Sequence, residues 1–373
     1  MRLEILISLF RDKCRVTPRP TLVVGLILAA LSVSVSICPA DGRDGLAGHY
    51  AAEERAFQAA VARVAASVVR LETVGGLERA EGLVFGNGPS TGLVVDNQGH
   101  IVSSAFNFIR KPDSILVQLA DGTRKAARLV ATDHSRKLVL LKIEIDDKTA
   151  LSVPAFAEKK TIRSGQWAIA VGRIFPGNRP NIAVGIISAI NRIWGKAIQS
   201  DAAVSPNNYG GPLIDIHGRV MGVLVPLSPD GDAQTAGLEW YDSGIGFAIP
   251  AADVLQSVER MKKSKDLYGG FLGVGFKHPN PSMAEPLVGG CAPGSPAQKA
   301  GLKAGDRIVL ADGKKINRAA DLREAVGQRY AGEKIAITAI RDGREFKAEI
   351  ELGTPPQPKK RPPKRQPTEK PVQ

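Results

Sequence analysis

Cysteine is scarce in this chain. Three occur in 373 residues, and Cys14 and Cys38 both fall within the first forty. Cys291 is then alone in the remainder, so no disulfide can close there. No Cys/His pattern with zinc spacing is present either, and no metal or cofactor is expected. Cys291 should pack as a small apolar residue. Long apolar runs are equally rare. The one candidate, Leu22–Cys38, has about 17 residues, at the short edge of a membrane span, and Ser32, Ser34 and Ser36 dilute it. Arg2, Arg11, Lys13, Arg15 and Arg19 precede it and the small Ala40 follows it, as in a targeting segment. Residues 1–40 read as a cleaved signal peptide or a retained anchor. Ile37 before Cys38 argues against a lipoprotein signal. Either way the rest of the chain is exported, to the periplasm or another extracytoplasmic space. A basic body is the third absence. Of the formal net charge of +13, residues 1–40 hold +3 and residues 354–373 hold +5. The high pI therefore belongs largely to the ends and is weak ground for a nucleic-acid-binding fold. The tail from Thr354 is rich in proline and basic residues and poor in apolar ones, so it should be disordered. It is either merely solvated or an electrostatic adhesive for anionic cell wall, lipid or nucleic acid.

What the chain does have is many short β-rich runs. Residues 50–65, rich in Ala and Glu, first read as an amphipathic helix closing an N-terminal segment, 41–65. Strands are then expected at Ser67–Thr73, Gly92–Asp96, Ile101–Ser104, Ile115–Ala120, Thr123–Val130 and Leu138–Ile145. A second set follows at Trp167–Val171, Ile182–Ile187, Pro212–Ile216, Arg219–Val225 and Gly244–Ile249. Asp121-Gly122 and His217-Gly218 supply turn signals. Two sets of similar size suggest two barrels within residues 66–250. Pro250 should open a helix running to about Ser264, a connector over 251–267. Residues 268–353 form a separate α+β unit. Its expected elements are a strand at Phe271–Phe276, a short helix at Ala297–Ala300, a strand at Asp306–Leu310, a helix at Ala319–Gly327 and a final hairpin around Asp342-Gly343.

Residues 201–213 read Asp-Ala-Ala-Val-Ser-Pro-Asn-Asn-Tyr-Gly-Gly-Pro-Leu. This resembles the nucleophile loop of HtrA/Deg-type serine proteases, Asp-Ala-Ala-Ile-Asn-Pro-Gly-Asn-Ser-Gly-Gly-Pro-Leu. Other matches keep the family order: Ser90-Thr91-Gly92-Leu93-Val94-Val95-Asp96, Gly99-His100-Ile101-Val102, Leu138-Val139-Leu140-Leu141-Lys142-Ile143 and Gly244-Ile245-Gly246-Phe247-Ala248-Ile249-Pro250. Gly294-Ser295-Pro296-Ala297 with Ala300-Gly301-Leu302 and Gly305-Asp306 resembles the family's PDZ domain. The resemblance implies a mainly β fold, a chymotrypsin-like double β-barrel followed by one α+β PDZ domain, and trimers or mixed oligomers with an active homologue.

At the family's catalytic positions the residues differ. Family members read Thr-Asn-Asn-His-Val-Val where this chain reads Ser103-Ser104-Ala105-Phe106-Asn107-Phe108, so Phe106 stands at the histidine. Lys137 stands at the aspartate, Tyr209 at the serine, and Asn207 at a glycine of the oxyanion loop. Acyl transfer by a serine needs a hydroxyl, a base to take its proton and an anion to orient that base. Phe106 has no lone pair and Lys137 has the wrong charge. His100, His134, Ser103, Ser205 and Asp133 are candidates for a relocated site, but no obvious pair falls at the right places. His100 and His134 read more simply as surface turn residues, Lys137 as a solvated amine, and Phe106 with Tyr209 as filling for a vacated cleft. A Lys137–Tyr209 pair with the amine as base is an alternative.

In the PDZ-like unit, Phe271-Leu272-Gly273-Val274 resembles the loop whose backbone amides receive a C-terminal carboxylate. A bound peptide would extend along Val274–Phe276, with Leu322 and Val326 on the opposite wall. The plain alternative is that these apolar residues are core. Three functions therefore compete: an inactive exported homologue that binds protein C-termini or unfolded peptides, an active endopeptidase of protein quality control with non-standard residues, and a structural cell-envelope protein.

Overall fold

The computed structural model describes residues 42–75, 89–109, 112–146, 151–175, 179–228, 243–278 and 280–356. The readings of residues 1–40 and of the tail beyond 356 lie outside the described residues. Among the described residues no helix is long and apolar enough to cross a membrane.

Helix α1 (Gly42–Ala65) is followed by twelve strands that close into two barrels. The first contains β1 (Val68–Val74), β2 (Ser90–Val94), β3 (His100–Ser104), β4 (Ser114–Gln118), β5 (Arg124–Asp133) and β6 (Leu138–Ile143), in the spatial order β1-β2-β3-β6-β5-β4. The second contains β7 (Trp167–Gly172), β8 (Asn181–Asn191), β9 (Ala197–Ser200), β10 (Pro212–Ile214), β11 (Val220–Leu224) and β12 (Gly246–Pro250), ordered β10-β11-β12-β9-β8-β7. The period-2 alternation of a strand explains how one sequence fills two cores. In β6, Val139, Leu141 and Ile143 pack inside the first barrel. The intervening Leu138 and Leu140 join Ile169, Val171, Ile214 and Val223 in a cluster shared by both barrels. Each such side chain, fully buried, contributes about 1.5–3 kcal/mol.

Helix α2 (Ala251–Met261) begins directly after Pro250, whose φ of −53° suits a helix entry. Val254, Val258 and Met261 recur on one face and join the shared cluster. Ser264, at φ 55°, ends the run. The C-terminal unit holds a two-stranded sheet, β13 (Val274–Phe276) with β14 (Val288–Cys291), and a four-stranded sheet. The latter orders β16 (Lys314–Lys315), β15 (Arg307–Ala311), β17 (Lys334–Arg341) and β18 (Arg344–Glu351). Helices α3 (Pro296–Lys299) and α4 (Ala319–Gly327) complete it. Leu272, Ile308, Leu322, Ile335 and Ile350 form its core. Half-buried Cys291 packs against this core, and its thiol contacts the Leu302 carbonyl at 3.3 Å.

Several elements differ from expectation. The strand foreseen from Phe271 starts only at Val274, because Phe271 turns to pair with Gly353. β8 extends to Asn191, and β9, β14 and β16 were not foreseen. β14 reads Val-Gly-Gly-Cys, a turn-like composition that pairing with β13 draws into a strand. His100 is not a surface turn residue; it is buried at the start of β3 and pairs with Asp96 at 2.8 Å. Asp96 is also held by Lys262 at 3.0 Å.

Asp306 gives the C-terminal unit an acid-sensitive anchor. It is 1% exposed, and the Arg341 guanidinium donates to both of its oxygens at 2.7 and 2.8 Å. Arg341 first, then the Lys303 backbone N–H, hold its carboxyl below the usual range against the opposing effect of burial. A carboxyl lowered in the folded state stabilises fully above its unfolded pKa, near ~4. That contribution is lost as pH falls through the lowered value. The melting temperature should therefore decline below about pH 4, and less steeply in Arg341→Leu. Equal slopes in parent and variant would refute this assignment.

The C-terminal unit docks on the turn between β5 and β6. The Thr132 N–H donates to Asp266 Oδ1 at 2.8 Å, the His134 N–H to the Leu267 carbonyl at 2.8 Å, and the Leu267 N–H to the Thr132 carbonyl at 2.9 Å. Asp133 has no exposed surface. Its carboxylate accepts from the Ser135 and Arg136 N–H groups, from the Ser257 hydroxyl at 2.9 Å and from the Tyr330 phenol. Burial, followed by the Asp133 charge, pushes the Tyr330 phenol well above its ordinary value, which keeps it a proton donor. The Arg136 and Arg260 guanidinium groups lie 4.5 and 4.7 Å from the centre of its ring.

Candidate functional site

Two places carry the residues singled out from the sequence. The first lies where the barrels meet. β3 runs into a 3-10 turn, Ala105–Phe108, capped by the Ser104 hydroxyl, which accepts the Phe106 N–H at 3.3 Å. Tyr209 sits in the turn preceding β10 and is 5% exposed. The Phe106 and Tyr209 rings meet edge to face, with centroids 5.5 Å apart and planes at 79°, a favourable aromatic geometry. Asn107 Nδ2 donates to the Tyr209 carbonyl at 3.1 Å and to Ser103 Oγ at 3.3 Å. Thr91 Oγ1 donates to the Asn207 carbonyl at 2.9 Å and accepts the Arg173 N–H at 2.9 Å. The backbones approach so closely here that a Cβ on Gly210 would lie 2.3 Å from the Thr91 carbonyl.

Lys137 ends the turn before β6 at φ 55°. Its carbonyl accepts the Ala105 N–H at 2.8 Å, tying it to the Phe106 turn. It is 7% exposed, so it is not a solvated surface amine. The turn around Asn207 is closed on itself. The Asn207 N–H donates to Ser205 Oγ at 3.3 Å and the Tyr209 N–H to the Pro206 carbonyl at 3.3 Å. The other candidates are engaged elsewhere. His134 stacks on Tyr268 at 4.6 Å and pairs with Asp266. The Ser103 hydroxyl donates to the Thr91 carbonyl at 2.7 Å. Asp133 faces Tyr330. A cavity of about 1010 Å³ opens beside Phe106, with Phe108, Leu129 and Lys137 in its walls.

The second place is the groove of the C-terminal unit. Among the described residues no acceptor takes the N–H of Leu272 or Gly273. The Phe271 N–H, by contrast, is committed to the Gly353 carbonyl at 2.9 Å, so it does not serve a ligand. β13 pairs on one side only, with β14, leaving its other edge open among the described strands. Phe271, Leu272, Gly273, Val274, Leu322 and Val326 all line one cavity of about 370 Å³. Leu322 is also core, at 2% exposure, whereas Val326 is half-buried. Gly273 has φ 81°, and a Cβ there would lie 2.2 Å from Ser295 Cβ. Its lack of a side chain thus serves the packing of the loop on α3. Sequence reasoning missed Trp194, Lys196 and Arg323, which also line this cavity. Trp194 and Lys196 lie in the β8–β9 connection, and no linear pattern places that connection against α4.

Comparison with known proteins places both units. Residues 90–223 match the trypsin-like peptidase domain and residues 270–352 the PDZ domain. The chain is 31% identical over 280 residues to a probable periplasmic serine endoprotease, DegP-like, of Hahella chejuensis, covering 71% of this chain and 57% of that protein. A like-named protein of Bartonella henselae is 32% identical over 302 residues, 75% of this chain and 55% of the relative. The chain therefore spans little more than half the length of these relatives. Among solved structures, the HtrA-type protease AlgW with decapeptide superposes with a TM-score of 0.62 at 26% identity, over 81% of this chain and 99% of that one. The serine endoprotease from Yersinia pestis gives 0.59 at 25% identity, over 80% and 98%. The double barrel is thus a trypsin-like peptidase domain and the C-terminal unit a PDZ domain, both of the HtrA/DegP type.

Proposed function

We propose that this chain is an exported, catalytically inactive HtrA/DegP-type homologue that binds protein C-termini or unfolded peptides through its PDZ groove. The observation that carries the reading is the state of the cleft. Phe106 fills the base position and packs on Tyr209 at 5.5 Å. The Asn207 and Tyr209 amides, which would have to stabilise an oxyanion, donate within their own turn. A tetrahedral intermediate would find no imidazole at the base position and no preorganised donors. An active endopeptidase is the second reading, favoured by the relatives' names. We further propose the domain limits given above, a periplasmic location, trimeric or mixed assembly with an active homologue, and attraction of the basic tail to anionic surfaces.

The purified chain is expected to leave an unfolded protein substrate intact and to take no label from a serine-directed fluorophosphonate. The Phe106→His/Lys137→Asp/Tyr209→Ser variant serves as the comparison. Stoichiometric labelling of the parent, lost on replacing one serine, would establish the second reading instead.

A further inference from the structure

The PDZ groove and the larger cavity beside Phe106 adjoin. Ser135, Lys137, Lys196, Gly270 and Gly327 line both of them. Gly270 immediately precedes the Phe271–Val274 loop, and Gly327 is the last residue of α4. The junction therefore lies at one particular end of the groove. A peptide laid along β13 with its terminus at Leu272 and Gly273 has its earlier residues toward Phe276 and its last residue toward the junction. What lies beyond that last residue is the second cavity.

That cavity, of about 1010 Å³ against about 370 Å³ for the groove, lies between the two domains. The first barrel supplies the Ala105–Phe108 turn and the end of β5, and the entry to the PDZ domain supplies Asp266 and Tyr268. Its barrel walls are apolar, with Phe108, Ile115, Leu129 and Val139 among them. Leu129 is 44% exposed, so a large apolar side chain on β5 faces this space without cover. Pro355 and Pro356 line the cavity as well, so the chain beyond residue 356 leaves from its wall.

Resting on the reading that the PDZ groove binds peptides, we propose that it also takes internal segments of unfolded chains, which run through the groove and on into the interdomain cavity. The first stretch of such a segment pairs with the open edge of β13. One apolar side chain lies against Leu322 and Val326. At Leu272 and Gly273 a backbone carbonyl takes the place of a terminal carboxylate as acceptor. The chain then passes Gly270 and Gly327, and a second apolar side chain packs on Phe108, Ile115 and Leu129. The ligand is thus an unfolded polypeptide with two apolar anchors, the second several residues toward its C-terminus. Joining two weak contacts through one backbone raises the effective concentration of the second. A free chain end is then not required, because the second anchor makes up for the lost carboxylate.

The test uses the full chain, because the second cavity lies partly outside the PDZ domain. Fluorescence anisotropy compares N-terminally labelled peptides of two kinds. A short peptide has a free, apolar C-terminal residue. Long peptides continue the same sequence with a Gly/Ser tract, amidated at its end, through which one tryptophan is moved residue by residue. At its best position the tryptophan peptide should bind about tenfold tighter than the plain Gly/Ser peptide, the effect of burying part of one aromatic side chain. Leu129→Asp should remove this gain and leave the short peptide's affinity unchanged, with melting curves checking the fold. A benzoylphenylalanine in place of that tryptophan should crosslink to the first barrel in the parent chain. Equal affinity for tryptophan and plain peptides at every position overturns the continuation into the cavity and leaves the groove reading standing. No binding of either kind overturns the groove reading itself. A gain that survives Leu129→Asp, with crosslinks confined to the PDZ domain, overturns the placement of the second anchor. A gain seen only after residues 357–373 are removed assigns the cavity to the chain's own tail and overturns the proposal.

Discussion

Replacing Asp133 with alanine is expected to destabilise the chain by about 3–5 kcal/mol, the usual range for breaking a buried charged contact. Asp133 is wholly buried, and its carboxylate is the common acceptor for two backbone N–H groups, the Ser257 hydroxyl and the Tyr330 phenol. Alanine leaves these donors short of partners in a space that water fills poorly, and each orphaned group costs about 1–3 kcal/mol. Tyr330→Phe removes one donor and leaves the carboxylate its other three, so it should cost only about 1 kcal/mol. The double variant should fall short of the sum of the singles, because both changes delete the same bond. Denaturant unfolding of the four proteins measures this. An Asp133→Ala variant within 1 kcal/mol of the parent would mean that this carboxylate does not hold the PDZ domain to the first barrel.

Gly273→Ala should abolish peptide binding and destabilise the PDZ domain by about 3 kcal/mol. The backbone at φ 81° already costs a residue with a Cβ about 1–2 kcal/mol. The new methyl would sit 2.2 Å from Ser295 Cβ, and Ser295 caps α3 by accepting the Gln298 N–H. Relief must come from the loop, and with it move the Leu272 and Gly273 amides that would meet a carboxylate. The smallest side chain therefore suffices, and a larger one such as glutamate adds little. Ser295→Gly in the same chain should restore part of the binding by vacating the space. Peptide titration and thermal melting of the single and double variants decide the matter. Undiminished affinity in Gly273→Ala would show that the loop tolerates a side chain and does not form the ligand's contact.

The two barrels were legible because their strands carry period-2 burial within short runs bounded by glycine turns. Helix α4 was legible to the residue, from Ala319 to Gly327. The strands that escaped, β9, β14 and β16, have two to four residues each. Such lengths show no period, and tertiary pairing alone makes strands of them. The family motifs sufficed to bring Phe106 and Tyr209 together. They did not reveal that the Asn207 and Tyr209 amides turn inward, because hydrogen-bond direction within a turn leaves no trace in composition. Lys137 and His100 read as exposed and are buried, since burial there depends on contacts from remote segments. Asp133 shows the limit most clearly. Its partner Tyr330 is 197 residues away, and neither residue belongs to a pattern that names the other.

That same contact bears on modularity. Asp133 and Arg136 of the barrel, and Ser257 of the connecting helix, complete their polar and ring contacts with Tyr330 and Gln328 of the PDZ domain. Cutting the chain between the two domains would hand the barrel fragment a buried carboxylate and a nearly buried guanidinium with those partners removed. The fragment's behaviour would then report an injured barrel as much as a missing PDZ domain. For the same reason, this PDZ domain could not be exchanged for another by shuffling unless the incoming sequence also brought a tyrosine to meet Asp133.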